Sequence, residues 1–254
     1  LNFMPEYGLP LIFFLIAFFY ASVGFGGGSS YLALLSLFLT EFQEIRTLAL
    51  LLNLIVVSIG TFMFIRNDVF KWKLFWPFIL SSMPLSFLGA QLPLSEKMFF
   101  LVLGFALLGA SFFIFIQLLQ RSHSNKPLKA NKKLMIGSGI GLLSGVSGIG
   151  GGIFLSPTLN LIGWKDARTV AALASLFILC NSIAGLGGLI ASNTFKLNMS
   201  LTFPLILAVA LGGALGSFIT NKKITTQTIK LFTAILIAYV GFRLVLLHGW
   251  GWHI

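Results

Sequence analysis

Six uninterrupted apolar runs constrain this chain more than any other feature of its sequence. Each run is long enough to cross a hydrocarbon core of roughly 30 Å as a helix, which takes about 20 residues. The runs are continuous rather than alternating, and lipid offers no partner to unpaired backbone groups, so helices are predicted and not strands. The runs are Leu48 to Ile65, Leu74 to Leu94, Met98 to Leu119, Val170 to Ala191, Leu201 to Thr220 and Leu231 to Leu247. The sequence therefore predicts an all-α protein embedded in a lipid bilayer.

The composition excludes most soluble classes of protein. Of the 254 residues, 57% are hydrophobic and 9% are charged, whereas roughly a quarter of the residues in soluble domains are charged. The net charge is +11, but the basic residues sit in short loops and form no stripe of the kind that binds nucleic acid. The one cysteine, Cys180, lies inside an apolar run, which argues against a disulfide framework and a thiolate metal cluster. We expect no metal, no cofactor and no nucleic-acid partner.

Two longer apolar stretches, Leu9 to Thr40 and Leu134 to Gly163, are each interrupted near the middle by a glycine cluster. The first break is Gly24-Phe25-Gly26-Gly27-Gly28, and the second is Gly148-Ile149-Gly150-Gly151-Gly152. The pieces on either side have about 11 to 16 residues, which corresponds to some 16 to 24 Å of helix at 1.5 Å per residue. Such pieces are too short to cross a bilayer singly. Each stretch is therefore predicted to form half-helices or a re-entrant hairpin.

The two halves of the chain repeat each other with a period of roughly 125 residues. When the glycine clusters are superposed, Phe70-Lys71 falls over Phe195-Lys196, and Arg46-Thr47 falls almost over Arg168-Thr169. Internal repeats with interrupted helices at matching positions are typical of secondary transporters, which work by alternating access with the site at the interruptions. The predicted organisation is one integral membrane domain, with a first repeat over 1–120, a basic linker over 121–133 and a second repeat over 134–254.

The basic residues predict the orientation in the membrane. The linker carries no acid and five basic residues, Arg121, Lys126, Lys129, Lys132 and Lys133, so the positive-inside rule places it in the cytoplasm. If each broken stretch crossed once, 10 basic residues would face the cytoplasm and 7 the outside; if each returns to the side it entered from, the numbers are 13 and 4. The second arrangement is favoured. It gives three full spans per half, an inverted repeat because three is odd, and both termini outside.

The two glycine breaks are the predicted binding site. Backbone that leaves a helix at membrane depth must be buried in protein or line a cavity, and glycine permits the turn and the close approach of a ligand. A new apolar helix starts after each break, so free N–H groups and a positive dipole end favour an anion there. The residues assigned to these helix starts are Gly26, Gly27, Gly28, Ser29, Ser30, Gly150, Gly151, Gly152 and Ile153. Close helix packing is the alternative, and it is the prediction for Gly137, Gly141 and Gly145, which are spaced by four.

Two arginines and several mildly polar groups complete the predicted substrate site. Arg46 and Arg168 each open a full span after a broken stretch, which predicts one cation at each mouth of a pathway, related by the pseudo-twofold axis; interfacial anchoring is the alternative. The polar groups can donate to anion oxygens or join helices, and those assigned to the site are Asn53, Ser156, Ser175 and Asn181. No Asp or Glu is predicted at the midplane, which disfavours a cation pathway or a carboxylate proton relay.

The second glycine break continues as Gly150-Gly151-Gly152-Ile153-Phe154-Leu155-Ser156-Pro157 and has a partner in the first half. This repeated motif resembles the TauE/SafE family of sulfite and organosulfonate exporters, and the likeness covers nearly the whole chain. The resemblance implies a multi-pass carrier of the bacterial inner membrane for a small sulfur-containing anion, with export suggested by the family and a homodimer left open. Pro157 is replaced by Ala33 or its neighbours in the first half, so we expect the two hairpins to be unequal.

Three alternatives to a transporter are less well supported. Ser22-Val23-Gly24-Phe25-Gly26 resembles a potassium-channel filter, but the second repeat loses the pattern and a cation pathway is disfavoured. Gly145-Val146-Ser147-Gly148 resembles the GxSG motif of rhomboid-type intramembrane proteases, whose serine needs a histidine base. Only His248 lies in or near a span, so an enzyme is not predicted. An assembly protein without transport activity would leave the doubled interruption unexplained.

Overall fold

The computed structural model describes residues 8–22, 25–119, 127–218 and 226–250. Regular secondary structure in these ranges is helical, with ten α-helices and a final π-helical turn, Leu246–Trp250. The first half contains α1 (Gly8–Ser22), α2 (Gly28–Phe38), α3 (Phe42–Arg66), α4 (Trp72–Gln91) and α5 (Glu96–Leu119). The second half contains α6 (Ala130–Ser147), α7 (Gly152–Ile162), α8 (Ala167–Ala191), α9 (Met199–Phe218) and α10 (Thr226–Val245). The linker predicted over 121–133 lies partly outside the described residues, and α6 begins within it.

Five segments are long and apolar enough to cross a membrane, and they lie in α3, α5, α8, α9 and the end of the chain from Lys230 to Gly249. The sixth predicted run falls in α4, which has 20 residues but contains Pro77 and Pro84 and several serines. Its hydropathy is therefore lower than that of the other five. These helices confirm the predicted all-α class and its several apolar spans.

Glycines bring α6 directly onto the backbone of α4, as their spacing predicts. A Cβ atom built on Gly141 would lie 2.5 Å from the carbonyl oxygen of Ser82, and one built on Gly145 would lie 2.0 Å from that of Ser86. Gly137 makes the same kind of approach one turn earlier. Because the residue numbers rise together along both helices, α4 and α6 run parallel.

The first and fourth helices of the two halves pack crosswise. Cβ atoms built on Gly212 and Gly216 of α9 would lie 2.3 Å and 2.1 Å from the carbonyl oxygens of Phe14 and Phe18 on α1. The α1–α9 contact is therefore also parallel and glycine-mediated, as the α4–α6 contact is. The first helix of each half thus lies against the fourth helix of the other half.

Two antiparallel pairs complete the bundle. The Ser111 hydroxyl of α5 donates to the carbonyl of Ala234 on α10 at 2.9 Å, while Gly104 and Gly241 meet further along the same two helices. Helices α3 and α8 are joined by a hydrogen bond between the hydroxyl oxygens of Thr61 and Ser175, which lie 2.9 Å apart.

These directions place the loops after α3, α5, α7 and α9 at one end of the bundle, which we call the basic end. The described basic residues near it are Arg66, Lys71, Lys73, Lys129, Lys132, Lys133, Lys165, Arg168 and Lys230. The opposite end has fewer described basic residues, namely Lys97, Lys196 and Arg243, with Arg46 inside the first turns of α3.

Helices α3 and α8 match in length and in the way they end. Both have 25 residues. The second residue after each helix has a positive φ, 53° at Asp68 and 55° at Asn193. Equivalent positions of α3 and α8 are therefore 125 residues apart.

The α4–α6 contact predicts the effect of adding one methyl group to either face of α6. Gly145→Ala would drive a Cβ into the Ser86 carbonyl, so we expect a loss of about 1–3 kcal/mol of stability. Gly139→Ala is the matched control, because a Cβ there meets nothing within 4 Å. Thermal unfolding of the two variants in detergent should show a lower Tm for Gly145→Ala and an equal or higher Tm for Gly139→Ala. Equal Tm values would contradict the helix contact.

Candidate functional site

Glycine conformation creates both breaks. Gly27 is the residue before α2 and has a φ of 82°, and Gly151 is the residue before α7 and has a φ of 84°. Gly150 adds a second left-handed residue, with a φ of 81°. Residues with a side chain rarely adopt this region. The N-cap residues Gly27 and Gly151 have no side chain that could cap their helices. The N–H groups of the first two residues of α2 and α7 therefore have no acceptor within their own helix.

Asn53, near the middle of α3, lies between the two breaks. A Cβ built on Gly26 would lie 2.0 Å from Asn53 Oδ1, and Cβ atoms built on Gly28 and Gly150 would lie 2.5 Å and 2.4 Å from Asn53 Nδ2. The Asn53 amide donates to the carbonyl of Ile149 at 3.3 Å. The side chain is 1% exposed, and its Oδ1 has no hydrogen-bond partner among the described residues. Glycine at these positions therefore allows both breaks to meet at one amide.

A cavity of about 50 Å³ lies at this meeting point, and we call it the site cavity. It has room for a few water molecules or one small ion. Eight predicted site residues line it: Gly26, Gly27, Gly28, Ser29, Asn53, Gly152, Ile153 and Ser156. The other lining residues are Tyr20, Phe25, Ile114, Gln117, Ile149, Pro157, Ile178, Lys230 and Thr233. Both breaks thus contribute to one space, and no carboxylate is among these lining residues.

The other polar residues predicted at the site mostly join helices. Ser30 is fully buried, and its hydroxyl lies 2.6 Å from the Tyr20 hydroxyl. Ser175 contacts Thr61, as described above. Asn181 is fully buried on α8 and its side-chain atoms have no partner in the described part of the chain. None of the three lines the site cavity. Gly150 and Gly151 form the turn of the second break but do not line the site cavity.

Arg46 is buried outside the site cavity, at the end opposite the basic end. Its side chain is 2% exposed. The Nη2 group donates to the carbonyls of Ala90 at 3.1 Å and Gly145 at 2.9 Å, and the guanidinium lies 5.8 Å from the ring centroid of Phe99. Arg46 Nε has no hydrogen-bond partner among the described residues. The Arg46 side chain therefore links the last turn of α4 to the last turn of α6, next to the second break.

Arg168 occupies a different environment. It is exposed and lines a second cavity of about 370 Å³, which we call the vestibule. Arg168 is the second residue of α8, whereas Arg46 is the fifth residue of the equally long α3. The two arginines therefore stand at different positions of their helices, and Ala171 stands in α8 where Arg46 stands in α3.

The vestibule joins the basic end to the site cavity. Its lining includes the end of α1 at Ser22, the last turns of α3 at Asn67 and the start of α8 at Arg168. Phe25, Ser156 and Lys230 line both spaces, so the two cavities meet at these residues.

Sequence reasoning missed four polar residues of the site cavity: Tyr20, Gln117, Lys230 and Thr233. The Tyr20 hydroxyl donates to Thr233 Oγ1 at 2.7 Å and lies next to Ser30, which ties α10 to the first break. In the sequence, Lys230 is only one of the 13 basic residues that the favoured topology assigns to the cytoplasmic side. Its place just before the last apolar run was the one available signal.

Among the described residues, the serine of the protease motif makes its hydrogen bond to its own helix and not to a base. The Ser147 hydroxyl donates to the Leu143 carbonyl at 2.6 Å. His248 stacks on Phe100, with ring centroids 4.4 Å apart. It also contacts its own helix, through Nδ1 and the Leu244 carbonyl. The channel-filter motif includes Val23 and Gly24, which lie outside the described residues.

Comparisons with known proteins agree with this architecture. A family model described as Sulfite exporter TauE/SafE matches residues 9–244. The chain belongs to the TauE/SafE family. A curated relative from Sinorhizobium fredii, named Probable membrane transporter protein y4hK, is 33% identical over 244 residues, which cover 94% of this chain and 97% of that protein. No solved structure matches the chain.

Membership of the TauE/SafE family makes this protein a multi-pass membrane transporter, which is not a class of enzyme. The resemblance seen in the glycine motif is thereby confirmed. The family match spans both breaks and all ten helices at least in part, so the site cavity lies inside the matched region.

Asp166 holds the start of α8 next to Arg168. Its carboxylate accepts from the Thr169 backbone N–H at 2.9 Å and from the Thr169 hydroxyl at 2.6 Å. Partial burial raises the pKa of Asp166, but these hydrogen bonds and the nearby Lys71 outweigh burial, so the pKa lies below its ordinary value. The cap therefore stabilises the fold in its ionised form.

Asp166→Ala should destabilise the protein by about 1 kcal/mol at neutral pH, because an N-cap is lost. A folded-state pKa below the unfolded one gives stability that is complete above the unfolded value of about 3.9 and is lost as the pH falls through the folded value. The Tm difference between wild type and Asp166→Ala, measured from pH 7 to pH 3, should shrink below about pH 4. Asp166→Asn should lose less stability than Asp166→Ala. A pH-independent difference for Asp166→Ala would contradict the ionised cap.

Proposed function

We propose that the protein is a secondary transporter that carries a small sulfur-containing oxyanion, sulfite or an organosulfonate, across the bacterial inner membrane by alternating access. The observation that carries the proposal is the meeting of both glycine breaks at Asn53, around a cavity whose lining has no carboxylate. The family description supports sulfite and its relatives as the substrate class and export as the direction. The geometry itself favours an anion of small size.

We propose that each broken stretch is a re-entrant hairpin. The Phe13 ring of α1 stacks on the Tyr31 ring of α2, with centroids 5.2 Å apart, whereas 18 residues of continuous helix would separate them by about 27 Å. A Cβ on Gly27 would approach Ile16, and a Cβ on Gly151 would approach Ile140, its counterpart 124 residues later. These contacts support two hairpins of the same design.

The antiparallel course of counterpart helices supports an inverted repeat. Helices α5 and α10 occupy the same place in the two halves and run in opposite directions. The crosswise contacts α1–α9 and α6–α4 are equivalent to each other in such a repeat. The basic end would face the cytoplasm, in accordance with the positive-inside rule. The first hairpin then enters from the outside and the second from the cytoplasm.

The proposed binding groups are the N–H groups at the starts of α2 and α7, helped by Ser29, Ser156 and the Asn53 amide. Helix N-termini carry a partial positive charge and bind oxyanions through backbone N–H groups. Each charge-assisted hydrogen bond to such an anion is worth roughly 1.5–3 kcal/mol net. Ile114, Ile149 and Ile178 form an apolar wall that excludes water from part of the cavity.

Unequal access from the two ends supports alternating access. At one end, the Arg46 guanidinium fills the space beside Gly145. At the basic end the corresponding residues, Ala171 and Ala21, line the open vestibule. In the proposed mechanism, this arrangement would be a state open to the cytoplasm, from which an exporter loads its substrate. Release to the outside would require Arg46 to leave the Ala90 and Gly145 carbonyls.

Gly28→Ala should abolish transport, because its Cβ would lie 2.5 Å from Asn53 Nδ2 and 2.8 Å from the Ile149 carbonyl oxygen. We expect at least a hundredfold lower rate of 35S-sulfite transport in proteoliposomes, about 2.7 kcal/mol or more. Gly109→Ala is the control, because a Cβ there meets nothing within 4 Å. Transport by Gly28→Ala at the control rate, with both proteins folded, would remove the glycine breaks from the site.

Arg46→Ala should lower transport at least about tenfold, because two carbonyls lose their buried donor and the outer closure loosens. Arg46→Lys should retain part of the activity, since an ammonium can still donate to one or both carbonyls. The measurement is the initial rate of labelled sulfite efflux from loaded vesicles. Full activity of Arg46→Ala would reduce this residue to an anchor.

A further inference from the structure

Lys230 stands apart from every other residue of the site cavity, because it is the one charged side chain in that lining. It is half-buried, at the start of the last membrane span. The vestibule lining contains Lys230 again, together with Arg168 and no carboxylate. The described part of the structure therefore places two cations in series, one at the junction of the two cavities and one in the vestibule.

Neighbouring contacts fix the direction in which Lys230 points. Lys230 precedes Thr233 by three residues and Ala234 by four, so all three share one face of α10. Thr233 accepts from Tyr20 at the first break, and the Ala234 carbonyl accepts from Ser111 on α5. This face is therefore held against the interior of the bundle, and Lys230 continues it into the cavity.

An ammonium group inside a membrane bundle is costly unless a counter-charge or water compensates it. The groups that share the site cavity with Lys230 include Tyr20, Gln117, Ser156 and Thr233, all uncharged. Because no carboxylate lines either cavity, a counter-charge in these spaces would have to be a mobile species. The position next to two helix N-termini suits an oxyanion, which would contact the ammonium on one side and backbone N–H groups on the other.

We propose that Lys230 is a substrate-binding residue, whose ammonium pairs with the anion in the site cavity. The anion would move between Lys230 and Arg168 as it passes between the site cavity and the vestibule. This inference rests on the proposed function. It adds the one full positive charge that the glycine breaks and Asn53 lack. The charge selects anions over neutral solutes, because an uncharged molecule would leave the ammonium unpaired.

The test compares Lys230→Met and Lys230→Arg with the wild type in proteoliposomes that take up 35S-sulfite. Lys73→Met is the matched control, because Lys73 is an exposed lysine near the same basic end. We expect Lys230→Met to raise KM at least about tenfold, or about 1.4 kcal/mol. Lys230→Arg should stay within about threefold of the wild type because it keeps the charge, and Lys73→Met should leave KM unchanged.

Thermal unfolding with and without sulfite separates binding from folding. Sulfite should raise the Tm of the wild type and of Lys73→Met but not that of Lys230→Met, whose Tm without ligand should be no lower than that of the wild type. If Lys230→Met does not yield folded protein, Lys230→Gln takes its place in both assays. If the wild type transports sulfite and the neutral variant has a KM within about twofold of it, the proposed role of Lys230 is overturned and the proposed function is not. A wild type that neither transports nor responds to sulfite or short sulfonates would overturn the proposed function as well.

Discussion

The side chain of Asn53 is the point on which the rest of the site depends. It lies against Gly26 and Gly28 on one side and against Gly150 and the Ile149 carbonyl on the other. Any side chain at those glycines would overlap the Asn53 amide. The two breaks can therefore approach each other only because these residues are glycines. The free N–H groups of α2 and α7 line the same cavity only because this approach is possible. The proposed anion site between two helix N-termini thus depends on this close packing.

The distribution of charge explains why the two ends of the molecule differ. Among the described residues, Arg46 contacts no carboxylate. Its guanidinium donates to the carbonyls of Ala90 and Gly145, near the C-terminal ends of α4 and α6, where the helix dipole is negative. Lys230 and Arg168 line open space. The ion pair between Glu41 and Lys196 lies at the closed end, beside the start of α3. Arg46 and Lys196 thus have partners within the protein at one end, whereas Lys230 and Arg168 line cavities at the other.

Much of the architecture was predictable because lipid imposes simple rules. Continuous apolar runs predicted the helices, and the Gly137, Gly141 and Gly145 spacing predicted the α4–α6 contact. The glycine breaks predicted six of the seventeen residues that line the site cavity. Arg46 and Arg168 occupy different positions in α3 and α8, because similar dipeptides do not fix a position within a helix. Lys230 was missed because a lysine at a span boundary is usually a loop charge, and only tertiary packing turns it inward.

Anomalous diffraction from crystals grown with selenite, a heavier analogue of sulfite, would locate the bound anion. We expect one selenium peak in the cavity between the starts of α2 and α7, within hydrogen-bond reach of their N–H groups and next to Asn53. A selenium peak found only in the vestibule, or density in which either glycine break continues as an unbroken helix away from Asn53, would contradict the account.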